Sequence, residues 1–208
     1  MLMSIHNPES VSKATDIIRN GGVIVYPTDT IYGLGGDACR ENVIERIYRI
    51  KKRREFMPVS VIGHDIRQMR FLARLNRSAE KIMQHFMPGK ITLICEANNK
   101  ICADRVYSEG RYIGLRMPKH DFALAITRAA DVPVVTTSVN HHGLPSLNDI
   151  DKIRSEFESS ADCIFYDENY RASDASTVIK IDHNGIMTCL REGAVPYQRL
   201  KDLAILSK

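Results

Sequence analysis

No tryptophan occurs in this chain, and phenylalanine and tyrosine bring the aromatic share to only 7%. A surface devoted to nucleic acid draws on aromatics as well as cations, so composition gives that reading little support. No apolar run approaches the ~20 residues that a membrane helix requires. The opening residues, MLMSIHNPES, lack a charged segment followed by an apolar one, so no secretory signal is expected. The cysteines (Cys39, Cys95, Cys102, Cys163 and Cys189) are odd in number and scattered, with no C-x-x-C pair and no histidine at metal-finger spacing. They read as reduced, mostly buried thiols of a cytoplasmic protein. The G-x-x-x-x-G-K-[ST] pattern is missing, which excludes a P-loop. Ser138 lacks the G-x-S-x-G elbow of a nucleophilic serine. Neither H-E-x-x-H nor a paired-carboxylate arrangement stands out, and no protein-bound metal is expected. Repeats, low-complexity tracts and interdomain linkers are absent too.

What is present suits one soluble domain. The chain has 208 residues, 44% hydrophobic and 26% charged, with a formal net charge of +4. That charge permits an anionic ligand or RNA without demanding either. The most informative stretch runs from Gly21 to Ala38, GGVIVYPTDTIYGLGGDA. Val23 to Tyr26 is an apolar, β-branched and aromatic run, the mark of a buried strand. Pro27 ends it, because proline has no N–H for the ladder. Hydroxyls (Thr28, Thr30), a carboxylate (Asp29) and glycines follow. This is either a ligand floor, with glycines admitting a ligand to the backbone, or a plain Gly-rich turn.

Apolar periodicity predicts helices over Ser10–Asn20 (N-cap Ser10, C-cap Gly21), Glu41–Ile50, Asp65–Leu75, Arg77–His85, from the N-cap Asp121 onward, and over Asn148–Glu158 with Asn148 as cap. Strands are predicted over Pro58–Ile62, Ile91–Cys95, Tyr112–Leu115, Pro133–Thr137, Cys163–Tyr166 and Ser176–Ile181, the last forming a hairpin with Gly185–Leu190. The tail after Pro196 reads as peripheral. Strands alternating with helices predict an α/β (α+β) domain with a twisted mixed sheet flanked by helices. Arg67, Arg70, Arg74 and Arg77 fall three to four apart and read as one basic face, solvated or touching RNA.

Several strands end in the same chemistry. Val25-Tyr26 leads to Thr28 and Thr30, Leu115 to Arg116, Val135 to Thr136, Thr137, Ser138 and Asn140, and Leu190 to Arg191. Ligands of open α/β sheets collect where strand ends meet loops. Lys51-Lys52-Arg53-Arg54 reads either as a solvated helix end or as an anion clamp. Hydroxyls and cations without a nucleophile suit a site that positions anionic reactants and neutralises developing charge.

These pieces resemble the YrdC/YciO family, the threonylcarbamoyl-AMP synthases. PTDTIYGLGGDA is similar to the family's PTxTxYGLG signature. Five further pieces follow in the family's order: Lys51-x-Arg53 with Pro58, Pro88-Gly89-x-x-Thr92, Leu115-Arg116-x-Pro118-x-His120, Thr137-Ser138-Val139-Asn140-x-x-Gly143-x-Pro145-Ser146, and Ser176-Thr177-Val178 with Arg191-x-Gly193. The resemblance implies a twisted sheet with a basic concave face. It implies synthesis of L-threonylcarbamoyladenylate from L-threonine, bicarbonate or CO2, and ATP with Mg2+, releasing pyrophosphate. The product would pass to a tRNA-modifying transferase complex. The family's threonine contacts fall on Thr28, Arg116, Thr136 and Ser176, its nucleotide contacts on Lys51, Arg53, Ser138, Asn140, Ser146 and Arg191, with Lys51 and Arg53 central to catalysis. The alternative is a non-catalytic binder of tRNA or double-stranded RNA using the same basic face. Asp29 reads as an orienter of the site or as an Asx-turn. The chain departs from the family at Arg54, where proline is usual, at Ile62, where many members have histidine, at Asn140 after Val139 rather than alanine, and at Glu192 within the Arg-Pro-Gly piece. These changes bear on the acceptor amino acid more than on the nucleotide.

Overall fold

The computed structural model describes residues 1–53, 57, 59–98, 100–109 and 111–205. Its strands are β1 (Leu2–Ser4), β2 (Ile24–Tyr26), β3 (Gly33–Gly35), β4 (Ser60–Ile62), β5 (Ile91–Glu96), β6 (Tyr112–Arg116), β7 (Val134–Ser138), β8 (Cys163–Tyr166), β9 (Thr177–Ile181) and β10 (Met187–Arg191). Its helices are α1 (Ser10–Arg19), α2 (Glu41–Lys51), α3 (Ile66–Leu72), α4 (Arg77–Phe86), α5 (Asp121–Ala130), α6 (Ile150–Phe157) and α7 (Tyr197–Ile205). The strands join in one mixed sheet, ordered β1-β8-β2-β3-β7-β4-β6-β5-β9-β10. Among the described residues four pairs are parallel (β1 with β8, β2 with β8, β4 with β6, β5 with β9) and the other five antiparallel. This is the expected α/β architecture.

Register sorts the side chains onto two faces. Val25, Leu34, Val61, Leu93, Leu115, Val135 and Ile179 lie on one face, all fully buried. With Ile44 and Ile47 of α2, Ile82 of α4 and Phe157 of α6 they form the larger core. Each such side chain contributes about 1.5–3 kcal/mol by leaving water. Ile24, Tyr26, Ile62, Val134, Cys163 and Phe165 point the other way, under Ala14 and Ile18 of α1 and Phe122 and Ile126 of α5. The two helices cover only part of that face. The remainder carries Ser60, Gly114, Arg116, Thr136 and Ser138, and there the site forms.

Several expectations are corrected. The Gly-rich stretch is not a plain turn, since Gly33–Gly35 is a strand antiparallel to β2 and β7. A Cβ on Gly35 would stand 2.1 Å from the Val135 carbonyl oxygen, so this glycine serves strand packing rather than ligand approach. β1 was not expected at all, and it pairs with β8. The tail after Pro196 is not peripheral: α7 lays a fully buried Leu200 into the larger core. Asp149, not Asn148, caps α6, while Asn148 Oδ1 accepts from Tyr32 N–H at 3.3 Å. Glu9 and His120 hold the N-cap positions of α1 and α5, without side-chain capping bonds. Ser10 donates instead to the Ile5 carbonyl at 2.8 Å. Gly21 has φ +79, the left-handed value that suits a residue just past a helix end. The strand expected from Pro58 runs Ser60–Ile62, and Pro58 and Arg54 lie outside the described residues. Arg67 and Arg70 sit on α3, Arg74 beyond its end and Arg77 at the start of α4, so they share no single helix face; Arg70 pairs with Glu80 at 3.0 Å.

Gly35→Ala forces the new methyl group onto a main-chain oxygen. It is expected to destabilise the protein by about 1–3 kcal/mol. In thermal unfolding this appears as a fall of at least ~2 °C in Tm. An unchanged Tm would mean that β3 and β7 part at little cost.

Candidate active site

A cavity of about 260 Å³ opens on the uncovered half of the second sheet face. Arg53, Arg116, Thr136, Ser138, Ser176 and Arg191 line it, all anticipated from sequence. Tyr32, Ser60, Thr92 and Thr137 line it as well and had not been assigned a role. A signal existed for Thr92 in Pro88-Gly89-x-x-Thr92; its hydroxyl lies 2.8 Å from that of Ser176. For Ser60 the signal was alternation, since it stands opposite Gly114 and Thr136.

The end of α2 supplies two of the cations. Lys52 adopts the left-handed φ of 50 and terminates the helix, and Arg53 N–H then donates to the Tyr48 carbonyl at 3.0 Å. This turn sends the Arg53 guanidinium over the Tyr48 ring, 5.8 Å from its centroid, and its Nη1 donates to Thr137 Oγ1 at 3.3 Å. Lys51 is buried and outside the cavity lining. Its Nζ donates to the Ser138 carbonyl, to the Asn140 carbonyl at 3.1 Å and to Asn140 Oδ1 at 2.8 Å. Asn140 Nδ2 in turn donates to the Leu144 carbonyl at 2.6 Å. Lys51 and Asn140 thus shape the Ser138–Asn140 loop from behind. Ser146 is half-buried outside the lining, in a loop tied to β7 by Leu147 N–H on the Val139 carbonyl at 2.8 Å. Burial, and secondarily the charge of Arg53, bring the Lys51 amine down from 10.5 to about 7; the oxygens around Nζ oppose that shift.

The other two cations come from β6 and β10. Arg116 Nη2 donates to Asp29 Oδ1 at 2.6 Å and to Thr30 Oγ1 at 2.5 Å, with Thr28 Oγ1 at 3.5 Å. Thr28 is buried behind Arg116 rather than in the lining and donates to the Ile31 carbonyl at 2.7 Å. Arg191 donates from Nε and Nη2 to the Ser176 carbonyl at 3.2 and 2.8 Å. Its β-ladder slips at this point, with Cys189 opposite Ile179 but Arg191 opposite Val178. Burial lowers the pKa of Arg53, and burial with the neighbouring Arg116 lowers that of Arg191. Ile62 lies in the apolar cluster under α5, opposite Arg116 in the ladder and outside the cavity lining.

A family profile described as "Telomere recombination", for Sua5, YciO and YrdC proteins, matches residues 16–193. The chain belongs to the Sua5/YciO/YrdC family. A Methanocaldococcus jannaschii relative is 32% identical over 198 residues, 93% of this chain and 92% of its own length. The threonylcarbamoyl-AMP synthase of Pyrococcus abyssi is 30% identical over 190 residues; these span 90% of this chain but 55% of that enzyme. The structure of P. abyssi Sua5 complexed with L-threonine superposes with a TM-score of 0.90 at 26% identity, over 98% of this chain and 60% of that one. Escherichia coli YciO superposes with a TM-score of 0.86 at 28% identity, over 96% and 98% of the two chains.

The buried lysine makes stability depend on pH. Between about 7 and 10.5 the unfolded chain keeps a proton on this amine that the folded chain lacks, so stability rises with pH across that window. From pH 7 to pH 9 the wild type is expected to gain on the order of 2 kcal/mol relative to Lys51→Met in urea unfolding. Parallel pH profiles for the two proteins would assign the amine an ordinary pKa.

Proposed function

We propose that this chain is an L-threonylcarbamoyladenylate synthase, a nucleotidyltransferase joining L-threonine, bicarbonate or CO2, and ATP. The observation that carries the reading is the convergence of Arg53, Arg116 and Arg191 on one hydroxyl-rich cavity with no carboxylate among the described residues of its lining. The family and the threonine-bound P. abyssi relative support the same assignment. The threonine amine captures CO2 to give a carbamate. A carbamate oxygen attacks the α-phosphorus of ATP, the bond to the bridging oxygen breaks, and pyrophosphate leaves. Both partners are anions and repel until cations lie between them. Arg53 and Arg191 serve the phosphates, with Ser138 beside the nucleotide, while Lys51 and Asn140 brace the loop that carries Ser138 and Ser146 lies in the loop beyond it. Arg116 takes the threonine carboxylate, with Thr136 and Ser176 as hydroxyl partners and Thr28 behind the guanidinium.

The described lining offers Mg2+ guanidinium and hydroxyl groups but no carboxylate, so phosphate oxygens would hold it. It would supply Lewis-acid neutralisation of the leaving group. The product is a mixed anhydride open to hydrolysis, which suits direct transfer to a tRNA-modifying complex in the cytoplasm. No helix among the described residues is long and apolar enough to cross a membrane.

The test is AMP and pyrophosphate formation from ATP and bicarbonate, with and without L-threonine. Turnover is expected only with threonine. Arg53→Ala, still folded by circular dichroism, should lose at least ~100-fold in kcat/KM. ATP binding without threonine-dependent turnover would keep the nucleotide half and discard threonine as acceptor. Absent ATP binding together with steeply salt-dependent RNA binding would favour the non-catalytic alternative.

A further inference from the structure

Arg116 and Asp29 form an ion pair whose side chains are only 7% and 6% exposed; no other pair among the described residues is buried on both sides to this extent. Arg116 lines the cavity, while Asp29 lies outside the lining. Asp29 Oδ1 and Thr30 Oγ1 both engage Nη2, at 2.6 and 2.5 Å. Arg116 Nε and Asp29 Oδ2 are both buried without a hydrogen-bond partner. Nε and Nη2 share one edge of a guanidinium, so these two atoms are what a two-point, side-on pair would join. Asp29 thus meets this edge through Nη2 alone, with Nε unpaired beside it, and Nη1 is left for the cavity. The backbone carrying the clamp is itself fastened. The Thr30 carbonyl accepts from Ser173 N–H at 2.8 Å and from the Tyr170 hydroxyl at 3.0 Å. Arg191, by contrast, donates to Ser176, and no carboxylate among the described residues lies within ion-pair distance of it.

We propose that Asp29 is a positioning residue that sorts the two anionic reactants. It holds Arg116 by one edge and offsets its charge, so that this cation suits the single charge of an α-amino acid carboxylate. Phosphate, with more charge, is drawn to the uncompensated cation, Arg191. The proposal rests on the synthase reading and names how its acceptor half-site is selected.

The test is steady-state kinetics of Asp29→Asn, with inorganic phosphate as probe. The KM for threonine is expected to rise at least tenfold, with the KM for ATP within twofold and kcat within threefold. Inorganic phosphate at millimolar concentration should inhibit the variant competitively with threonine, and the wild type far less. Thr30→Val, which removes the second acceptor on Nη2, should move threonine KM in the same direction by a smaller factor. A purely packing role would depress kcat and leave phosphate without effect; that outcome, or an unchanged threonine KM, overturns the proposal. Should the wild type show no threonine-dependent turnover, the synthase reading falls instead. The clamp is then decided by the nitrogen-15 signals of the Arg116 guanidinium: faster proton exchange in Asp29→Asn supports it, and unchanged exchange refutes it.

Discussion

A pleated strand can serve only two faces, and the central sheet uses that constraint to separate stability from chemistry. One face is apolar from β2 to β9 and carries the larger core. The other is apolar at Ile24, Tyr26, Ile62 and Val134, where α1 and α5 lie on it. Where their cover ends, the same strands present Ser60, Arg116, Thr136 and Ser138. The polar half needs no separate scaffold, because residues two apart on a strand fall under helix in one case and open to solvent in the other. Ile62 and Ser60 make the point on β4.

Bringing guanidinium groups together is unfavourable without an anion. Burial lowers the pKa of Arg53, and burial and Arg116 lower that of Arg191. The protein fixes these groups chiefly with neutral acceptors, such as the Ser176 carbonyl for Arg191 and the Thr137 hydroxyl for Arg53. Positive potential therefore survives in the cavity, and an anionic ligand relieves the repulsion on arrival. Asp29 is the exception, a buried carboxylate placed against one arginine only.

Much of this was legible in sequence, for identifiable reasons. The run Val23 to Tyr26 could hardly be anything but a buried strand, and polar residues at strand ends marked Thr136, Ser138, Arg116 and Arg191 as neighbours. What escaped depends on partners distant in the chain. Glycine has little intrinsic preference for strands, so β3 exists because β2 and β7 hold it on both sides. Asn148 and Asp149 are equally good caps by type, and tertiary structure spends Asn148 on Tyr32. Lys51 was read as meeting the nucleotide; its engagement with Asn140, 89 positions away, has no local signature. Leu200 looked peripheral because a single buried leucine does not reveal which helix waits beneath it.

The slip in the β9–β10 ladder has a geometric consequence. In unbroken register Leu190 would stand opposite Val178, a cavity-lining residue, and Arg191 opposite Thr177, which is fully buried on the far side. The extra residue shifts the strand's phase by one. Leu190 is left exposed, and the guanidinium moves from the core side to the ligand side. A half-period offset in the pleat, rather than a change of amino acid, therefore decides whether this charge is an impossible core residue or part of an anion cradle. The same kink sits on the outermost strand, where it also spoils the flat edge that a second sheet would need for pairing.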